Sequence, residues 1–310
     1  MKFRQLEYFV QIVESGSLAK AAKKLFVVQP ALSQQIAKLE EEIGKKLLIR
    51  SVKGVTVTDN GAALYQHAKF VLRQMDQAVK IARYENDVPS GIVAVGLAPT
   101  TGAAVGLALI QHIWQKYPSI TLNVIEGMST GLENMLKANQ LDIAIRFTNS
   151  TVSDLDVSLL LEEDLFVMVP EDSPLVPAFV TEMTLSDAAK LPLLLPTGMQ
   201  GLRPRITQEI ERIGMIVHPI AEIGSLPLLL ACVTRGMGAT IQPMAAALVE
   251  SSTPKLRCIR LSGEMMTRKN YLYSLQSNKL SKSALLVKEE IRDVITDLIT
   301  SGRWPGARMS

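Results

Sequence analysis

Two short stretches of this 310-residue chain hold the residues best suited to chemistry. The first runs from Gln29 through Pro30, Ser33 and Gln34 to Lys38. On a helix turning about 100° per residue, Leu32, Ile36, Leu39 and Ile43 share one face. Pro30, Gln34, Ala37, Lys38 and Glu41 share the other, with Gln29 and Ser33 at its rim. That polar face suits a DNA major groove, where Gln reads an adenine edge, an Ala methyl meets a thymine methyl, and Ser or Lys reaches phosphates or bases. Periodicity alone fits a solvated helical hairpin equally well. The second stretch, Gly127-Met128-Ser129-Thr130-Gly131, has the G-x-S-x-G pattern of a serine-hydrolase nucleophile elbow and lies between a strand and a helix. That chemistry needs a later acid and then a histidine, yet His67 and His112 precede Ser129, and no HGG oxyanion loop is present. His218 alone follows, opening an apolar strand beside Pro219. The hydrolase is therefore the alternative and not the main reading. Three scattered histidines and two separated cysteines offer no metal-ligand spacing, and no cofactor is expected.

The elements around the first stretch explain how it would be held. A helix over residues 4–14 buries Leu6, Phe9, Ile12 and Val13. Ser17 caps a second helix carrying Leu18, Ala21, Ala22 and Leu25, whose small residues permit a close crossing, and Pro30 fits the first turn of the third. This describes a helix-turn-helix. Leu47–Arg50 and Val55–Val57 then flank a turn ending at Gly54, forming a two-stranded wing. Arg50 and Lys53 are placed to reach phosphates or the adjacent minor groove, Lys53 being the safer phosphate contact. Thr58-Asp59 begins a long helix to about Tyr84. On it Leu64, Ala68, Val71, Met75, Ala78 and Ala82 form a heptad seam. A helix spanning ~39 Å cannot hide that stripe in a small domain, so pairing with a second chain is its natural use. Packing on the body of its own chain is the other use.

After a linker at Asn86–Gly91, strands alternate with helices, as in a parallel α/β sheet. Strands are expected at Ile92–Leu97, Thr121–Ile125, Leu141–Phe147, Leu165–Val169, Leu193–Leu195, Ile216–Ile223, Ala239–Ile241 and Tyr271–Leu275. Helices are expected over 103–116, 131–138, 203–213, 226–234 and 283–300. Ligands in such sheets sit at the carboxyl ends of strands, against helix N-termini. Those ends carry Thr100, Thr101, Ser129, Thr130, Arg146 and Thr197, which suit a small anion such as a carboxylate. Some of these hydroxyls are expected to be helix caps.

The chain is 47% hydrophobic with a net charge of +3. Residues 1–88 hold 14 Lys and Arg against 9 Asp and Glu, while the remainder is slightly acidic. A basic head on a neutral body suits one polyanion bound at one end. Met1-Lys2 leads directly into an amphipathic helix, and no run of 18 apolar residues occurs, so neither a signal peptide nor a membrane span is expected and the location is cytoplasmic. Cys232 and Cys258 lie in apolar surroundings and read as buried, reduced thiols, with a redox pair as the alternative.

Many points in the first 70 residues carry a family resemblance. They are Leu6 and Phe9, Gly16-Ser17, the QPALSQQI run, Leu39-Glu40 with Ile43-Gly44, Leu47 to Arg50, Gly54 to Thr58, and Gly61. This segment resembles the N-terminal module of LysR-type transcriptional regulators, and the similarity extends more loosely over the whole chain. The resemblance implies an α/β protein with an N-terminal winged helix-turn-helix (1–58), a long linker and dimerisation helix with hinge (59–88), and a periplasmic-binding-protein-like effector domain (89–310). That domain would comprise two Rossmann-like subdomains, one at about 89–162 and 268–303 and the other at about 163–267. The chain would cross between them near Leu161–Val167 and Met265–Lys269. The expected DNA contacts are Ser17, Gln29, Pro30, Ser33, Gln34, Lys38, Arg50 and Lys53. Thr100, Thr101, Ser129, Thr130, Arg146, Thr197 and Arg203 would line the effector cleft. The implied partners are a dyad-symmetric operator, a small-molecule effector, a second chain in a homodimer or homotetramer, and RNA polymerase. A free-standing solute binder is the remaining alternative, although it would not need residues 1–88.

Overall fold

The computed structural model describes residues 1–51, 54–83, 88–147, 149, 155–198, 201–249, 256–262 and 266–310. It separates into two compact units, one over Met1–Val88 and the other over Pro89–Lys137 and Leu141–Ser310.

In the first unit, α1 (Phe3–Ser15), α2 (Leu18–Lys24) and α3 (Gln29–Ile43) enclose a core of Phe9, Ile12, Ala21, Leu32, Ile36, Leu39 and Leu47. The Ser17 hydroxyl accepts from the Lys20 amide and so caps α2, as its position suggests. Pro30 sits in the first turn of α3. Ile43 departs from its expected inward role and is 38% exposed, because α3 ends there on the left-handed Gly44. The wing is an antiparallel pair, β1 (Leu48–Ser51) with β2 (Gly54–Val57). Gly54 has φ +130°, and a Cβ there would lie 2.6 Å from the Gly16 carbonyl oxygen, which accepts from the Val55 amide.

The long helix α4 (Asp59–Arg83) corrects the proposed seam. Ala68 is buried and Leu64 half-buried, both against Leu6 and Val10 of α1. The first turns of α4 are thus spent inside the head. Val71, Met75 and Ala78 are exposed, as is Val79, while the side chain of Ala82 lies outside the described residues.

The second unit begins with β3 (Gly91–Leu97), α5 (Pro99–Lys116), β4 (Ile120–Glu126), α6 (Ser129–Lys137) and β5 (Ile143–Arg146). These three strands are parallel, with β3 central, and the Val93-Ala94-Val95 run of β3 is fully buried. Then comes β6 (Leu155–Pro170), a single strand shared by two lobes. The second lobe follows with β7 (Glu182–Thr184), α7 (Leu185–Ala189), β8 (Leu194–Pro196), α8 (Leu202–Arg212), β9 (Ala221–Ile223), α9 (Leu226–Thr234), β10 (Thr240–Pro243) and β11 (Leu256–Ser262). The chain returns to the first lobe through β12 (Thr267–Leu275), α10 (Lys282–Thr300) and β13 (Ala307–Met309). The first half of β6 pairs with β12 and β13, and its second half pairs with β10 and β11. Each half has its own apolar core: Val95, Leu109, Ile145 and Tyr273 belong to one, and Val167, Leu195, Ile206 and Ile241 to the other.

The first half of β6, together with β7, β11 and β13, goes beyond the strands read from the sequence. In the run Leu155 to Pro170 the two-residue alternation breaks where the strand leaves one core for the other, and a register shift occurs opposite Asn270 and Tyr271. The strand expected at Ile216–Ile223 is reduced to Ala221–Ile223, since Pro219 cannot donate to a ladder. Conversely, α5 and α6 begin earlier than their apolar periodicity suggests, at Pro99 and Ser129. Among the described residues no helix is long and apolar enough to cross a membrane.

Gly61 sets the fit of α4 on the wing, because a Cβ there would lie 2.0 Å from the Leu47 carbonyl oxygen. Gly61→Ala is expected to destabilise the head by about 1–3 kcal/mol. A lowered midpoint in thermal or urea unfolding would show it.

Candidate functional site

In the head, Gln29, Pro30, Gln34, Ala37, Lys38 and Glu41 are exposed on α3, and Ser33 is half-buried at the rim. Arg50 on β1 donates from Nη1 to the Ser33 hydroxyl at 2.8 Å, which ties the wing to this face. Lys53 lies outside the described residues. The buried carboxylate of Glu40 escaped the sequence reading, because its neighbours Glu41 and Glu42 are ordinary exposed acids. It accepts from the amides of Leu47 at 2.9 Å and Leu48 at 3.2 Å, and from Lys46 Nζ at 2.8 Å. One side chain of α3 thereby fixes where the wing begins.

In the body, a cleft of about 580 Å³, counted to its open mouth, lies between the two lobes. The first lobe contributes Pro99, Thr100, Met128, Ser129, Phe147 and Arg268, and the second Thr197, Arg203, Ile223, Leu226 and Gln242. The N-termini of α5, α6, α8 and α9 all border it. Such termini present unbonded N–H groups and partial positive charge.

Arg268 organises the first-lobe wall. It is buried, and its Nη2 donates to Thr100 Oγ1 at 2.8 Å and to Glu163 Oε2 at 2.5 Å. Its guanidinium lies over the Phe147 ring, 3.6 Å from the centroid. Glu163 also accepts from Asn270 Nδ2 at 2.8 Å and Trp304 Nε1 at 3.0 Å. On the second lobe, Arg203 pairs with Glu222 at 2.9 Å. Among the described residues, both cationic side chains at the cleft are thus already matched by carboxylates. Gln242 is buried at the wall with its backbone paired to β6.

Of the residues expected here, Thr100, Ser129, Thr197 and Arg203 line the cleft, and three others do not. Thr101 is fully buried and donates to Asn270 Oδ1, because the early start of α5 turns it about 100° away from Thr100. Thr130 is exposed on α6. Arg146 is fully buried, paired with Glu133 and stacked on Tyr273. Arg268, Gln242 and Phe147 were missed. Arg268 sits in an ordinary polar run, Thr267-Arg268-Lys269-Asn270, and its partner Glu163 is 105 residues away. The Ser129 hydroxyl is buried and accepts from the Phe147 amide at 3.4 Å, with no histidine bonded to it among the described residues. Cys232 and Cys258 are free thiols packed on an apolar cluster of the second lobe, and burial pushes Cys258 up to about 11.

A helix-turn-helix head and a two-lobed body with a cleft between the lobes together define a DNA-binding regulator that carries its own ligand-binding domain. Comparison with known proteins agrees. Residues 3–62 match the bacterial regulatory helix-turn-helix protein family of the lysR type, and residues 86–296 match the LysR substrate binding domain. The nitrogen assimilation regulatory protein nac of Klebsiella aerogenes is 35% identical over 297 residues, covering 96% of each chain. Its counterpart in Escherichia coli K12 is also 35% identical, covering 98% of each. The structure of CbnR complexed with its target DNA shares the fold at a TM-score of 0.73 and 22% identity, covering 94% of this chain and 99% of that one. The chain belongs to the LysR family. It is a DNA-binding transcriptional regulator with an effector-binding domain and not an enzyme.

Burial by itself would raise the pKa of Glu40, but Lys46 and the two wing amides outweigh it, and the net shift is downward from 4.5. A carboxyl held below its unfolded value stabilises the fold above that value and loses the contribution as pH falls through the folded one. Acidification from neutral pH to below 4.5 is therefore expected to destabilise the wild-type head more steeply than Glu40→Gln, which should already be weaker at neutral pH. Thermal unfolding followed across this range would reveal the difference.

Proposed function

We propose that residues 1–58 read a dyad-symmetric operator, that residues 59–88 pair two chains, and that residues 89–310 sense a small effector. The observation that supports the head's role is the exposed Gln29, Pro30, Gln34 and Lys38 face on α3, with Arg50 bonded to Ser33 beside it. Gln34 carries base discrimination, while Ser17, Gln29, Pro30 and Ser33 set the approach of α3. Lys38, Arg50 and Lys53 supply salt-dependent affinity through phosphates. The exposed run of Val71, Met75 and Ala78 on α4 is the pairing surface, and contacts between bodies build a tetramer. The protein works in the cytoplasm, with RNA polymerase as a further partner.

The effector is a small anion such as a carboxylate, held between the lobes by Thr100, Ser129, Thr197, Gln242 and Arg268. Arg268 and Arg203 are each matched by a glutamate, so the attraction comes from the converging helix N-termini and from donors left open. Arg268 Nη1 has no partner among the described residues. Occupancy alters how far the lobes close, and this changes the spacing or bend that the paired heads impose on DNA.

A footprint on fragments selected from genomic DNA tests the head. Wild type should give dyad-symmetric protection, and Gln34→Ala should lose about tenfold or more for that site while keeping its affinity for competitor DNA. If wild type prefers no sequence at moderate salt, the assignment of α3 fails. For the cleft, a panel of mono- and dicarboxylic acids screened by thermal shift should contain a stabilising member. Gln242→Leu should weaken its binding about tenfold. No shift with any acid would remove the anion assignment.

A further inference from the structure

The turn between α2 and α3 closes with two backbone bonds. The Val27 amide donates to the Ala22 carbonyl at 3.0 Å, and the Phe26 amide donates to the Lys23 carbonyl at 3.4 Å. This is the Schellman arrangement of a helix C-terminus, which requires a left-handed residue at the position Phe26 occupies and is usually made with glycine. Phe26 adopts φ +53° there. For a side chain of this size that conformation is strained and costs stability.

The ring returns nothing to the fold for that cost. Phe26 is 96% exposed, whereas Val27, the next residue, packs on the head's core and provides the apolar contact that normally accompanies the motif. Val28, also apolar, is 69% exposed, and Lys23 and Lys24 are exposed just before the turn. Gln29, the first residue of α3, follows three positions later. The N-terminal end of the second helix of a helix-turn-helix is the end that enters the major groove, so this turn lies at the groove's mouth.

We infer that Phe26 is a DNA-contacting residue that sets affinity and half-site preference by packing its ring on an apolar group of the duplex. That group is either a thymine methyl or a deoxyribose at the groove edge. Lys23 and Lys24 meet the neighbouring phosphates. The inference rests on the reading of α3 as the DNA-reading helix. It adds a residue whose chemistry is apolar and whose backbone is strained in order to present it.

The test uses the full chain, an operator fragment obtained by footprinting, and two variants. Asn tolerates the left-handed conformation, so Phe26→Asn should fold with an unchanged or higher thermal midpoint. It should bind the operator about tenfold more weakly, with an unchanged slope of log Kd against log salt, because no phosphate contact is lost. Phe26→Leu should recover most of that loss. Replacing operator thymines one at a time by deoxyuridine separates the two sources. A position where methyl removal weakens wild type but not Phe26→Asn places the ring on a base, and a flat scan beside the same affinity loss places it on a sugar. Operator binding by Phe26→Asn equal to wild type, with Gln34→Ala still losing specificity, overturns the inference alone. A lowered midpoint for Phe26→Asn overturns it as well, since the ring would then be serving the fold. If wild type itself prefers no sequence, the reading of α3 falls first and takes this inference with it.

Discussion

A buried carboxylate stands at the centre of the body. Glu163 is 1% exposed and lies on β6 where the strand passes from one lobe to the other. Stripped of water, such a charge is tolerated only if it is paired and its lone pairs are occupied. Arg268, Asn270 and Trp304 do both, drawing β12 and the segment before β13 onto the same point of β6. The pair need not add net stability over an apolar junction. What it adds is definition, because apolar contacts can slide and a carboxylate with several directed donors cannot. The cleft inherits that definition, since the same Arg268 caps Phe147 and holds the Thr100 hydroxyl.

The head uses the same device on a smaller scale. Glu40 projects from α3 and holds two consecutive amides at the start of the wing, so helix and wing are set as one piece. In both units a buried glutamate gathers donors from separate segments and so fixes where those segments stand. The two differ in reach: Glu40 bonds within eight residues of itself, whereas the partners of Glu163 are over a hundred residues away.

That difference explains how much could be read before the structure. The helix-turn-helix was legible because its determinants are local. Ser17 caps its own helix, Pro30 starts the next, and Leu32, Ile36 and Leu39 repeat at helical spacing. The cleft was half legible. Hydroxyls at strand ends located Thr100 and Ser129, but whether a residue faces the cavity depends on the turn at which a helix starts, and the start of α5 at Pro99 is what sends Thr101 into the core. Arg268 and Gln242 could not be found, because each sits on a strand whose inner face is chosen by distant pairing partners. The seam on α4 failed in part for a related reason. A heptad pattern does not say which partner takes each turn, and α1 takes Leu64 and Ala68.

The long sequence spans around Glu163 also bear on how the chain is made. A ribosome delivers Glu163 well before Arg268, 105 residues on, and before Trp304, 141 residues on. Until both have emerged, the first lobe holds an acid it cannot bury, and its sheet lacks β12 and β13. Among the described residues the head's apolar core lies entirely at or before α4, so all of it has been made while the body is still being synthesised. Each molecule therefore passes through a period in translation in which the head's core residues are all present and those of the first lobe are not.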